Sequence, residues 1–244
     1  YNMEAYLGRC VDSLLAEEVI DKLEIIIVND GSKDRTLEIA NAYRDRYPQS
    51  VVVVDKPNGH YGSTVNAALK VATGRYFRLL DADDWVERDS IAKIAAKIEE
   101  TGADVIYFNH VKEYPTKSKY KRERVYSSDE QAKYVRNMYN HCSYSSVWNK
   151  CFRHGLYTEH TIYSPKYGYA EDCYVTTQLV GYSKSIAYLD EYVYHYRKGN
   201  PNALTGQQRR KRKREYSLNF IDLYLKYRDV PAEKNPIAGI FDDI

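Results

Sequence analysis

Two nearly unbroken runs of β-branched residues decide what this chain can become: Leu23 to Asp30, LEIIIVND, and Val51 to Asp55, VVVVD. A strand that is apolar at every position, rather than at alternate ones, is buried on both faces, as in a parallel sheet covered by helices. Parallel neighbours need a crossover, and the sequence between the runs supplies a helical one. Gly31 and Ser32 turn the chain, Ser32 or Asp34 can cap a helix, and Leu37, Ile39, Ala40 and Tyr43 line its apolar side as far as about Tyr47.

The same alternation continues. A loop from Pro57 to Gly62 leads into a helix from about Ser63 to Thr73, closed by Gly74 as the residue just past its end. Tyr76 to Leu80 reads as a third strand, Ser90 to Glu100 as a helix and Asp104 to Phe108 as a further strand. Sheets wound this way bind ligands beyond the carboxyl ends of their strands, where Asp30, Asp55 and Asp81 all fall. Past Tyr114 the periodicity weakens, and Lys117 to Arg124 reads as a charged surface connection. We therefore expect residues 1–115 to form a ligand-binding α/β half. Residues 116–244 would form a more helical half of the same compact domain, with helical stretches near Asp129 to Asn140, Asp172 to Gly181 and Gln207 to Tyr227, and a β-like stretch from Ile186 to Tyr196.

Composition narrows the classes. At 244 residues the chain suits one α/β domain with an appendage. A net charge of +2 excludes a polycation built to hold nucleic acid. The four cysteines, Cys10, Cys142, Cys151 and Cys173, form no CxxC pair, which suggests neither a zinc site nor a disulfide framework and points to a reducing cytoplasm. No apolar run approaches the ~20 residues needed to cross a bilayer. The run Arg209 to Arg214, RRKRKR, is accounted for by a solvated helix start, and it also suits peripheral contact with an anionic membrane at the inner face of the plasma membrane; it is no specific nucleic-acid site. The 26 tyrosines offer flat faces for sugars or bases, or simply amphipathic packing.

Three segments carry chemistry. In YFRLLDADDW an apolar strand runs into Asp81, Asp83 and Asp84, whose mutual repulsion falls if they hold Mg²⁺ or Mn²⁺, a cation that also binds diphosphate oxygens. A solvated acidic turn with Asp84 capping the next helix reads the same residues without a metal. In IIIVNDGSKDR, Asp30 stands where it can accept a base N–H, while Gly31 lets a ligand approach the backbone; an Asx turn and an N-cap are the plainer account. In YAEDCY, Glu171 and Asp172 open a helix, either as favourable charges at its N-terminus or as a general base for a sugar hydroxyl.

Taken in order, these segments resemble the family 2 glycosyltransferases of GT-A fold, particularly bacterial enzymes of capsule and exopolysaccharide assembly. The resemblance begins at Tyr1, Asn2, Glu4, Tyr6 and Leu7, runs through Asn29 to Ser32, Asp34, Asn66, Gly74 and Asp81 to Trp85, and ends with Trp148 to Lys150, Glu171, Asp172, Tyr194, Tyr196 and Arg197. It implies a Rossmann-like, mostly parallel sheet flanked by helices, with a C-terminal helical acceptor region. It also implies an inverting transfer from a UDP-sugar to a saccharide or lipid-linked saccharide during polysaccharide biosynthesis. By that resemblance Asp30 contacts the uracil, Asp81 the ribose, and Asp83, with Asp81, the metal, Mn²⁺ or Mg²⁺. Asp172 is the catalytic base beside Glu171, while Tyr1, Asn2, Asn66 and Arg197 complete the donor site. Trp148 is a stacking platform for the acceptor, or a core side chain.

Two departures stand out. Val65 occupies the position before Asn66 where many relatives carry an arginine, so a cationic donor contact is missing or comes from Arg78 or His60. The family's first strand would precede Tyr1, so an apolar strand is expected there. A nucleotidyltransferase is the rival enzyme, although it would want a Gly-rich basic phosphate loop, and a non-catalytic nucleotide-sugar-binding module is the rival without chemistry.

Overall fold

In the computed structural model the described residues are 1–130, 133–135, 146–165, 171–200, 218, 219 and 221–238, with the side chain of Glu171 excepted. After α1 (Leu7–Asp12), strands β1 (Ile25–Asp30) and β2 (Val51–Lys56) pair in parallel from Ile25↔Val51 to Asp30↔Lys56. Helix α2 (Thr36–Arg46) joins them, and Leu7, Val11, Ile25, Ile27, Ala40 and Val51 make the apolar cluster between helices and strands. Of the two candidate caps, Asp34 serves: its Oδ1 accepts from the Thr36 N–H at 3.0 Å, satisfying a donor left over at the helix start. Ser32 instead accepts from the Asn2 N–H at 3.0 Å.

Helix α3 (His60–Val71) ends in an extended residue, Ala72. Gly74 is not the left-handed cap expected of it; the N–H groups of Thr73 and Gly74 donate to the Glu24 carboxylate at 2.8 and 3.3 Å. The left-handed cap falls on Gly102, φ +57°, which closes α4 (Arg88–Thr101).

A second sheet carries the rest, in the order β3 (Tyr76–Phe77), β7 (Lys150–Arg153), β5 (Val105–Tyr114), β8 (Ile186–Arg197), β4 (Trp85–Val86), with β6 (Lys117–Lys121) also on β5. Pairing is mixed: β5 and β8 run parallel, while the ladders β3–β7, β4–β8, β5–β6 and β5–β7 are antiparallel. The run expected as a third parallel strand over Tyr76 to Leu80 therefore pairs through two residues only, and against β7, because the chain peels away to form the acidic loop 78–84. The segment expected as a bare connection after Lys117 is a hairpin strand. The strand β5, which closes the first 115 residues, finds its ladder partners beyond them.

Helices α5 (His154–Glu159) and α6 (Glu171–Tyr182) and the helical residues 221–227, here α7, surround a cluster that includes Tyr107, Phe152, Leu179, Val180, Leu223 and Tyr227. Of the helices expected at 129–140 and 207–227, residues 129, 130, 133–135, 218, 219 and 221–227 are described; 129 and 130 lie in a 3-10 turn and the others are α-helical. The basic run Arg209 to Arg214 and Cys142 lie outside the described residues. Among those residues no helix is long and apolar enough to cross a membrane.

Candidate active site

The carboxyl ends of β1 and β2 form one wall of the site. Asp30, 3% exposed, ends β1, and its Oδ1 accepts from the Gly59 N–H at 2.9 Å and pairs with the ammonium of Lys56 from the end of β2. Gly31 turns the chain with φ +68°, and a Cβ there would stand 2.9 Å from the Asn58 backbone nitrogen, so only glycine fits. Beyond it opens a cleft lined by Tyr1, Gly31, Lys33, Pro57, Asn58 and His60. Tyr1 is 52% exposed, and Asn2 holds the neighbouring turn by accepting from the Lys33 N–H at 2.8 Å.

The loop between β3 and β4 presents the acidic cluster, and its three aspartates are not equivalent. Both oxygens of Asp84 are taken, Oδ2 by the Tyr194 hydroxyl at 2.6 Å and Oδ1 by the Arg197 N–H at 2.7 Å. Burial pushes its carboxyl up to about 7 although those hydrogen bonds favour the ionised form. Asp83 gives one oxygen to the Asn200 amide at 2.6 Å, and its backbone carbonyl accepts from Arg197 Nε at 2.8 Å. Asp81 accepts from the Tyr61 hydroxyl, and its carboxyl is held well above the usual range by desolvation first and then by Asp84, Asp172 and Asp83.

Asp172, the second residue of α6, is thus close enough to Asp81 for their charges to interact. Desolvation raises its carboxyl to about 6, opposed by Lys150 and by a hydrogen bond from the Val147 N–H. Lys150 is fully buried, donates to the Ser146 carbonyl at 2.6 Å and to Asn149 Oδ1 at 2.8 Å, and is lowered to about 8 by desolvation against the pull of Glu123 and Asp172. A small recess lined by Tyr61, Val65, Leu79, Val147, Ser164 and Val175 borders Asp172.

Four carboxylates in a confined space favour a cation. Mg²⁺ and Mn²⁺ accept one or two carboxylates, with water and substrate diphosphate filling the remaining positions. Asp83, with one oxygen uncommitted, and Asp81 fit such a role; Asp84, doubly bonded inside the protein, does not. Among the described residues no group of three or more His, Cys, Asp or Glu is arranged to hold a metal by itself. Arg197 stands over the same loop, its guanidinium 5.0 and 5.1 Å from the rings of Tyr6 and Trp85.

Two expected roles change. Trp148, offered as an acceptor platform or a core residue, is the latter: it is 9% exposed, stacked on Tyr194 at 4.5 Å and Tyr196 at 5.4 Å, with the edge of His110 at 4.9 Å. Asn66 spends its amide inside the protein, accepting from the Tyr157 hydroxyl and the Ser164 N–H at 2.8 Å each and donating to the Ser164 carbonyl at 3.0 Å, so it pins the loop 162–165 to α3 rather than reaching a donor. Arg78 lies in the protein interior, 5.1 Å from the Phe108 ring and 6.0 Å from that of Tyr194, and among the described residues its three guanidinium nitrogens meet no hydrogen-bond partner. His60 does line the cleft. Sequence reasoning gave no role to Lys56, Tyr61, Lys150 or Asn200; for Lys56 the signal was its register opposite Asp30, for the others there was none short of the fold.

The family model described as glycosyl transferase family 2 matches residues 1–160. The Bacillus subtilis protein "Uncharacterized glycosyltransferase EpsJ" is 29% identical over 211 residues, covering 84% of this chain and 60% of that protein, so the chain spans about three fifths of that relative's length. Chondroitin synthase of Pasteurella multocida is 46% identical over 91 residues, 37% of this chain and 9% of that one. The crystal structure of S. aureus TarS 1-349 in complex with UDP-GlcNAc superposes with a TM-score of 0.73 at 24% identity, covering 92% of this chain and 64% of that chain, a likeness of fold.

Proposed function

Because this chain belongs to glycosyl transferase family 2 and has the GT-A fold, we propose that it transfers a sugar from a UDP-sugar to a saccharide or lipid-linked saccharide acceptor, inverting the anomeric centre with the aid of Mn²⁺ or Mg²⁺. The observation that carries this reading is the convergence of Asp81 and Asp83, from the loop after β3, with Asp172 at the start of α6. A strand-end acid for the nucleoside, an acid for a bridging cation and a separate acid for the acceptor are the three parts that the reaction needs.

In this mechanism the free oxygen of Asp30 accepts the uracil N–H, its orientation fixed by Lys56 and Gly59, while Tyr1 lies along the nucleoside cleft. Asp81 holds the ribose, with Tyr61 setting its rotamer. A cation bound by Asp83 together with Asp81 would neutralise charge on the departing diphosphate. Arg197 adds a fixed positive charge at the same place, held by Asp83 and by the Tyr6 and Trp85 rings. Asp172 accepts the acceptor hydroxyl proton, and the oxygen so freed attacks the anomeric carbon opposite the leaving UDP. Lys150 and the Val147 N–H keep Asp172 ionised at neutral pH. Glu171 stays in this reading as its neighbour at the helix start.

The name of the Pasteurella multocida relative, chondroitin synthase, supports polysaccharide assembly as the setting here. The buried thiols of Cys10 and Cys151 accord with a cytoplasmic location, and the Arg209 to Arg214 run suits an anionic membrane surface holding a lipid-linked acceptor. The test is a thermal-shift screen of nucleotide sugars with Mn²⁺ followed by detection of UDP release, since a ligand that binds only the folded state raises apparent stability by mass action. Stabilisation by a UDP-sugar and release of UDP on adding acceptor support the reading. Stabilisation by nucleoside triphosphates alone would favour the nucleotidyltransferase.

A further inference from the structure

One face of the second sheet carries a set of cations that the proposed chemistry does not use. Across the ladders, Lys119 lies opposite Lys112, which lies opposite Tyr196. In the next row Lys117 lies opposite Tyr114, and the Lys198 N–H donates to the Glu113 carbonyl at 2.7 Å, extending the β8 ladder so that Lys198 falls beside Tyr114. Residues directly opposed, and those two apart along a strand, share a face. Ring contacts agree: the Lys198 ammonium sits 4.1 Å from the Tyr196 ring and that of Lys119 5.5 Å from the Tyr114 ring. Four lysines and two tyrosines thus tile a patch about 10 Å across, given strands about 4.8 Å apart.

No carboxylate pairs with Lys112, Lys117, Lys119 or Lys198 among the described residues. The ammonium of Lys198 is held below its ordinary range by desolvation and then by Lys112, while Asp84 pulls the other way, so two like charges crowd one another within reach of the acidic loop. The patch also joins the active site through packing. Tyr196 stacks on Trp148, and the neighbouring Val147 donates its N–H to Asp172. Lysines on an edge strand discourage sheet-to-sheet pairing, which accounts for Lys117 and Lys119 on β6. It does not account for Lys112, which stands on a strand interior to the sheet, or for Lys198, which follows the last residue of β8.

Resting on the glycosyltransferase reading above, we propose that this face is an acceptor subsite for a negatively charged saccharide chain bearing carboxylate or phosphate groups, whose attacking hydroxyl lies at Asp172. The lysines meet the anionic groups and Tyr114 offers an apolar ring to the sugars, while the Tyr196 ring, stacked on Trp148, holds Lys198 in place.

The experiment compares the wild-type chain with K112Q/K119Q/K198Q and with K70Q/K184Q/K234Q, a control that removes the same charge from exposed lysines elsewhere. Calorimetry measures binding of a hexasaccharide of alternating glucuronate and N-acetylglucosamine, of a short poly(glycerol phosphate), of neutral chitohexaose, of a single-stranded DNA 20-mer and of anionic phosphatidylglycerol vesicles. UDP affinity with Mn²⁺ is read in parallel. We expect at least one anionic glycan probe to bind about tenfold more tightly than chitohexaose, weakening with salt, and to lose about tenfold in the first variant and not in the control, with UDP affinity equal in all three. Equal glycan binding by the two variants overturns the subsite. So does a failure of both anionic glycans to bind, or binding of DNA or vesicles as tight and as sensitive to the three lysines as that of the glycan. Loss of UDP binding in the wild-type chain instead removes the underlying reading, whatever the lysines do.

Discussion

The hydroxyl of Tyr194 donates to Oδ2 of Asp84 at 2.6 Å inside the protein, and this bond sets one aspartate of the acidic loop apart from the two that the proposed mechanism uses. Tyr194 also receives the Asp81 N–H at 3.3 Å on its oxygen, so a single phenol on β8 fixes both ends of the loop. The motif DADD therefore divides into a structural acid, Asp84, and two acids to which the proposed mechanism gives a role, Asp81 and Asp83.

Tyr194→Phe should accordingly act through the fold. It leaves a buried carboxyl without one of its donors, at an expected cost of about 1–3 kcal/mol in urea unfolding. A variant as stable as the parent would show that the bond does not hold the loop.

Asp172→Asn should keep donor affinity and cut single-turnover transfer by ~10²-fold or more, the scale for loss of a positioned base. Glu171→Gln should do less. In the parent the base must be ionised, so with its carboxyl raised to about 6 the transfer rate should fall as the pH drops through that value. A rate flat down to pH 5 would remove Asp172 from the role.

Lys150→Met tests what sets that value. Removing an adjacent positive charge raises a carboxyl, by about 1 unit or more, so the acid limb of the pH profile should move upward while UDP affinity stays unchanged. Lys150→Arg should restore the limb. A lysine that served packing alone would alter stability and leave the limb in place.

Much of this arrangement was legible in the chain itself, and the gaps have physical causes. The strands at Ile25–Asp30 and Val51–Lys56 announce themselves through their β-branched runs, but the expected burial on both faces fails in β2, which borders a two-stranded sheet and leaves Val52 exposed. β6 stayed hidden because every one of its residues is exposed, leaving no apolar alternation to read. Gly74 and Gly102 look alike in sequence, each following a helix, and only a competing acceptor, the Glu24 carboxylate, explains why the first needs no left-handed turn. Asp30, Asp81, Asp83 and Asp172 lie close to the strand ends and the helix start from which they were proposed. The residues that position them, Lys56, Tyr61 and Lys150, come from other elements and meet them only through tertiary packing. Trp148 and Asn66 carried the family pattern yet point inward, since a motif records which residues recur and not which way they face.

Gly31→Ala should destabilise the fold by about 1–2 kcal/mol, the cost of a left-handed backbone for a residue with a Cβ, aggravated by the close approach to Asn58. UDP affinity should fall with it because Asp30 precedes the turn. Unchanged stability and affinity would mean that the loop relaxes freely and does not shape the nucleoside cleft.

The account rests most directly on UDP binding through a cation at the acidic loop. Calorimetric titration of UDP into the wild-type chain and into Asp83→Ala, each in Mn²⁺ and in EDTA, decides it. We predict binding by the wild-type chain that is strong in Mn²⁺ and at least tenfold weaker in EDTA, and weak binding by Asp83→Ala that is the same in both. Equal wild-type affinity in Mn²⁺ and EDTA would contradict the metal-bridged site, and no UDP binding in either would contradict the UDP-sugar donor.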